Sequence, residues 1–253
     1  MKTAFLIVFF LLILSSIIAI LFALFSLFKR LRRGKSDGID ESQARRGNER
    51  SVFSANKAAE YYADLGRSTD GKLKELFEQA MNFKRKRRLL EATRAFEQCL
   101  DEDATPMQKA GLLVALGNCH FAIDELGLAK SHYENALNLL DGSGGDRGRL
   151  ACLVNLGLVC AANREYSQAI SNYRKAIELD RQLNYPKGEA IDLNSLALTY
   201  ETSGDSENAL KCYNASLLIF ENLDDRQRME IVKRNIRELE GKAAPNRPAP
   251  NLS

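Results

Sequence analysis

The sequence predicts an all-α protein, with an N-terminal transmembrane helix followed by an α-solenoid of about four helical hairpins and a C-terminal capping helix. Three observations carry this. Every residue from Ala4 to Phe28 is uncharged, which suits a bilayer better than a soluble core. Beyond Gly71 apolar residues recur at helical spacing through to Leu239 without sustained strand alternation. A 40-residue self-similarity runs through the same region, and a fixed period of that size marks stacked helical units.

The apolar run comes first. Its 25 residues (4–28) span roughly 37 Å as a helix, enough to cross a ~30 Å hydrocarbon layer with some tilt. A cleaved signal peptide has a shorter apolar centre followed by a small-x-small cleavage site, and no such pair occurs within the run. A retained signal anchor is expected. Only Lys2 precedes it, whereas Lys29, Arg30, Arg32, Arg33 and Lys35 follow without an intervening acid. The positive-inside rule then places the N-terminus outside and everything after Phe28 in the cytosol.

Residues 29–70 read as a basic juxtamembrane segment and linker, polar and rich in Arg, Ser and Gly from Gly34 to about Ser54. The formal charge of +3 divides unevenly: residues 71–240 carry 23 Lys and Arg against 26 Asp and Glu, and the rest of the chain 13 against 7. The positive excess therefore lies near the apolar run, where it suits anionic lipid headgroups and not nucleic acid.

Residues 71–222 hold the repeats. Leu113, Leu116, Gly117, Ala129, Tyr133 and Ala136 recur 40 residues later as Leu153, Leu156, Gly157, Ala169, Tyr173 and Ala176, and again as Leu193, Leu196, Ala197, Ala209, Tyr213 and Ser216. An earlier copy, set back by 37, holds Leu76, Ala80, Phe83, Ala92, Phe96 and Cys99. Each copy predicts two helices. The small residue on the first lets the second approach, with AANRE (161–165) and TSGD (202–205) as the turns. A single hairpin cannot bury its apolar stripe, so the copies must stack. Residues 223–240 place Met229, Val232, Ile236 and Leu239 on one face opposite charges, as the end of a stack requires, and the proline-containing tail 241–253 reads as disordered.

The pattern Leu-x-x-Leu-Gly, then Tyr166 before Ala169, Tyr173 and Ala176, resembles the tetratricopeptide repeat (TPR). The likeness covers about 150 residues in four copies. The 40-residue period and the connectors at 140–157 and 183–197 resemble the long variety found in Pins/LGN-type adaptors, kinesin light chain and MalT-like regulators. The resemblance implies a right-handed solenoid that binds protein and does no chemistry.

The residues themselves offer little chemistry. The glycine-rich DGSGGDRG (141–148) lacks a Gly-Lys-Ser/Thr ending and follows a helix, so it reads as a connector. His120 and His132 fall one per helix of the second copy, with no cysteine or carboxylate at a metal-ligand spacing. No catalytic residue, cofactor site or metal site is assigned. The five cysteines (Cys99, Cys119, Cys152, Cys160, Cys212) are odd in number, lie in helical patterns and fit a reducing compartment. The run Lys84 to Arg88 falls at the turn of the first copy, as a solvated turn or as a contact for anionic lipid or an acidic partner.

The asparagines are more informative. In the TPR register Asn118, Asn155, Asn194 and Ser195 lie near first-helix positions that face the inner groove, with Leu158 beside them. Amide side chains can both donate to and accept from a bound peptide backbone, or bond within the stack; both alternatives stand. The basic set of a two-carboxylate clamp is absent, its sites falling on Phe77, Met81, Ala151 and Asn155.

The expectation is a single-pass adaptor or scaffold, in the endoplasmic reticulum or plasma membrane, binding a protein or peptide segment in its cytosolic groove. The membrane itself is the second partner, through Lys29, Arg30, Arg32, Arg33 and Lys35, and nucleic acid is not expected. The alternative is a receptor or accessory subunit of a protein translocation machine, as on the outer mitochondrial membrane.

Overall fold

The computed structural model describes residues 71–141 and 145–243, with side chains to Gly241. These fold as an all-α solenoid: α1 (Gly71–Arg85), α2 (Leu89–Leu100), α3 (Pro106–Ala122), α4 (Leu126–Leu140), α5 (Asp146–Ala162), α6 (Tyr166–Gln182), α7 (Pro186–Ser203), α8 (Ser206–Asn222) and α9 (Arg226–Ala243). Each helix packs on the next, and α3 touches α5 as α5 touches α7. The first helices of successive hairpins therefore form one row.

The turns repeat because one hydrogen-bond pattern closes them. The N–H of Arg88 bonds the carbonyl of Phe83 at 2.9 Å, and the same five-residue closure joins Glu125 to His120, Glu165 to Cys160, Tyr185 to Asp180, Asp205 to Tyr200 and Asp225 to Phe220. This Schellman closure needs a left-handed residue just before its donor. Arg87, Asp124, Arg164, Asn184 and Asp224 supply it at φ 49 to 66°, and Gly204 at φ 91°. The expected turns at AANRE and TSGD fall within a residue or two of these closures. Pro106 and Pro186 open α3 and α7, and Thr105 and Gln108 form a capping box on α3.

The core is continuous from Leu73 to Leu239. Within it Ala80, Ala92, Phe96, Cys99, Leu116, Tyr133, Ala136, Tyr173, Ala176, Tyr213 and Ser216, all read from the repeat, are buried. The expected cap at 223–240 forms as α9, three residues further on. Its start is set by Asp224 and Asp225, which end the preceding turn. Val232 and Leu239 are buried on it and Met229 and Ile236 pack at the core's edge.

Among the described residues no helix is long and apolar enough to cross a membrane. The expected span at 4–28, its flanking Lys29, Arg30, Arg32, Arg33 and Lys35, and most of the tail from 241 lie outside the described residues.

Candidate functional site

In α3 and α5 of the row of first helices, the site begins with a small residue beneath a tyrosine. A Cβ added to Gly117 would lie 2.5 Å from Tyr133 Cε1, and one on Gly157 would lie 2.8 Å from Tyr173 Cε1. The glycines thus seat the tyrosine rings directly on the helix backbone. Burial holds the Tyr133 phenol well above its usual range, so its hydroxyl is a donor, and it donates to Asn118 Oδ1 at 2.7 Å. The same oxygen accepts from Asn155 Nδ2 of the next hairpin at 3.3 Å. Tyr133, Asn118 and Asn155 form a polar link from α4 through α3 to α5.

A second link lies further along. Asn194 Oδ1 accepts from Asn235 Nδ2 at 3.2 Å, joining α7 to α9. Asn155 and Asn194 are each 3% exposed and Ser195 5%. Ser195 Oγ bonds the carbonyl of Ile191 at 3.1 Å, and Thr199 and Thr202 bond back to Ser195 and Leu198 in the same way. The Ser195 and Thr199 hydroxyls can therefore be buried on α7, because their own helix satisfies them. Of the five residues picked from sequence, Asn118 keeps the most exposure; Leu158, one repeat on in the same register, is 9% exposed. The amides are thus engaged between repeats. Asn235 was missed although it stands 40 residues after Ser195 and 80 after Asn155; extending the period into α9 would have found it.

Other groups meet that the sequence left apart. The rings of His120 and His132 stack with centroids 5.1 Å apart, and His120 Nδ1 lies 2.6 Å from Glu125 Oε2. Burial and the neighbouring His120 lower the His132 pKa. Lys130 Nζ bridges to Glu165 Oε2 at 2.5 Å and to Gln168 at 2.9 Å, tying α4 to α6. The opposite charges, through that bond, raise the Lys130 pKa and lower that of Glu165. Arg174 donates to the Tyr200 hydroxyl at 2.6 Å across α6 and α7. A cleft of about 620 Å³ opens between α4, α5 and α6, walled by Leu137, Arg149, Leu153, Arg174, Lys175 and Glu178. Among the described residues no three metal-ligating side chains converge. The thiols are buried or half-buried and free, and burial pushes Cys152 to about 12 and Cys99 and Cys160 to about 11.

Tetratricopeptide-repeat family models match residues 108–182 and 193–223. No curated protein matches the chain. Among solved structures, the apo form of RapI aligns with a TM-score of 0.63 at 16% identity, over 68% of this chain and 64% of that one. A Rap protein in complex with Competence and Sporulation Factor aligns at 0.56 and 16% identity, over 70% and 52%. MamA aligns at 0.52 and 21% identity, over 74% and 98%. This chain therefore spans less than two thirds of either Rap structure, and likeness at such identities is likeness of fold. With the 40-residue hairpins, the tyrosines seated on Gly117 and Gly157 and the two family matches together, residues 108–223 of this chain are built of tetratricopeptide repeats.

Proposed function

We propose that this protein is a membrane-anchored adaptor that holds a segment of a partner protein along its row of first helices, on the cytosolic side. The observation that carries the reading is the chemistry of that row. Phe77, Met81, Val114, Ala115, Asn118, Ala151, Val154, Asn155, Leu158, Asn194, Ser195 and Leu198 are all uncharged. A face built of apolar side chains, amides and one hydroxyl, of which Met81 and Asn118 stay partly open, suits an amphipathic helix or an extended segment, and not a ligand read through its carboxylates. Asn155 acts there by orienting Asn118, whose side chain stays partly open, and Phe121 lies one turn further along the same helix face. A neighbour of the same fold was solved with Competence and Sporulation Factor bound, which is consistent with a stack of this kind holding a ligand. Anchoring through 4–28 would raise the partner's effective concentration at the bilayer.

The test is site-specific photocrosslinking in cells with the full chain. A benzoylphenylalanine at Asn118 or Phe121 is expected to capture one discrete partner band, while the same probe at Leu218, 59% exposed on α8, captures none. Equal capture from all three positions, or capture from Leu218 alone, removes the groove reading. The topology is tested separately. Asn214 is exposed on α8 and begins an Asn-Ala-Ser sequon, and a glycan on it in a eukaryotic membrane preparation would place the repeats in the lumen.

A further inference from the structure

The turn between α1 and α2 departs from every equivalent turn in the chain. It reads Lys86-Arg87-Arg88, where the second copy has Ile123-Asp124-Glu125, the third Asn163-Arg164-Glu165 and the fourth ends in Gly204-Asp205. The backbone does not require the bases, since all four turns close with the same hydrogen bond. Arg85 has a local reason, because a cation is favoured at the C-terminus of α1. Arg88 has the opposite: it is the N-cap of α2, where the helix dipole disfavours a cation, and its side chain caps nothing. At the matching position Glu125, Glu165 and Asp205 are all acids. Asp205, with a backbone (φ −91°, ψ 75°) close to that of Arg88 (φ −84°, ψ 71°), accepts from the N–H of Asn208 at 3.1 Å.

Arg85, Lys86, Arg87 and Arg88 are all exposed. Among the described residues no ion pair engages Arg85, Lys86 or Arg87, while Arg88 lies 2.9 Å from Glu91 and 4.8 Å above the Phe83 ring. Beside them Leu90 is 62% exposed, the largest exposure of any described large apolar side chain. Lys84 is set apart, being half-buried, and that burial lowers its pKa. Four outward bases around a projecting leucine suit a surface that is anionic and has an apolar layer beneath. We propose that this turn docks onto the anionic headgroups of a bilayer, with Leu90 entering the interface and the bases on lipid phosphates. Its closeness to a membrane rests on the anchored reading; its preference for anionic lipid does not. An acidic protein segment would satisfy the bases but leave Leu90 without a role.

The experiment uses the full chain with phosphatidylcholine nanodiscs and with discs containing 30% phosphatidylserine, read by hydrogen exchange of a peptide covering 84–91. Exchange is expected to slow about three-fold or more with the anionic disc only, each lost basic contact being worth about five-fold in the docking equilibrium. A peptide covering 160–167 should not change. Arg85→Gln/Lys86→Gln/Arg87→Gln should abolish the difference. Arg88→Asp should abolish it while raising the urea midpoint of the protein, since it installs the cap seen at Asp205; no purely structural role of Arg88 moves the two readouts in opposite directions. Equal exchange with both discs overturns the proposal, as does slowing by soluble polyglutamate with none by the anionic disc. Co-elution with neutral discs reports the anchor independently, so loss of one reading does not imply loss of the other.

Discussion

Gly117→Ala sets two terms of opposite sign against each other. Alanine is favoured over glycine inside a helix by about 1 kcal/mol, so on propensity alone the substitution should stabilise α3. Against this, the added Cβ would lie 2.5 Å from Tyr133 Cε1 and 2.8 Å from its Cδ1, where carbon atoms pack best at about 3.5–4.0 Å. The ring would have to retreat by about 1 Å. It is 2% exposed and its hydroxyl is held on Asn118 at 2.7 Å, so retreat both overpacks the core, at about 1–3 kcal/mol, and stretches a bond worth about 1 kcal/mol. The net is a loss of about 2 kcal/mol. Urea unfolding followed by circular dichroism measures it, since the chain has no tryptophan. Tyr133→Phe in the Gly117→Ala background should recover part of the loss, because the ring is then free to slide, and the double-mutant cycle reads that coupling. Ala197 holds the register position of Gly117 and Gly157 in the next copy, so Ala197→Gly should cost about the propensity term alone. An unchanged or higher midpoint for Gly117→Ala and Gly157→Ala would refute the claim that the rings rest on the glycine backbone.

The remaining expectations are smaller. Asn235→Ala should lower stability by about 1 kcal/mol by removing the donor to Asn194, and should increase amide exchange in α9 more than in α5; uniform change along the chain would contradict the link. The Lys130–Glu165 bridge has a pH window: the depressed Glu165 pKa gives a contribution present above its unfolded value and lost as pH falls through the folded one. Both side chains are about a quarter exposed, so the acid-side loss should stay under about 1 kcal/mol and vanish in Lys130→Met. In the native protein at pH 8, iodoacetamide should label Cys212, the half-exposed thiol, ahead of Cys99, Cys119, Cys152 and Cys160, with all five reacting in urea. Mass mapping of the labelled sites checks it.

What could be read from sequence was whatever the repeat period imposes. Hairpin count, the turns, the small residue and the tyrosine above it follow from local spacing, because a helix face is defined by residues three and four apart. The use of the amides does not follow from spacing. That Asn118 Oδ1 takes donors from both Tyr133 and Asn155 depends on how far α5 slides along α3, a distance that one copy cannot encode. The same holds for the stacking of His120 on His132 and for Arg174 on Tyr200, which join different helices. In α5, nearly continuous burial from Leu150 to Ala161 erases the amphipathic stripe that would have told inner from outer positions.

The unit length itself follows from these contacts. The third copy consists of two 17-residue helices joined and followed by three-residue turns at 163–165 and 183–185, which makes the 40-residue period. In the first hairpin the second helix has only 12 residues and a five-residue connector (101–105) follows it, so its turn at 86–88 stands 37 residues before the next at 123–125. Shortening α2 removes the C-terminal turn of a second helix and leaves the α1–α2 turn unaffected. That turn keeps the backbone of its counterparts while reversing their charge. Repeats held together by the same packing can therefore differ at their turns while the stack still closes, at the small cost of the cap that Arg88 does not supply, and it is there, and not in the core, that one copy can be given work the others do not share.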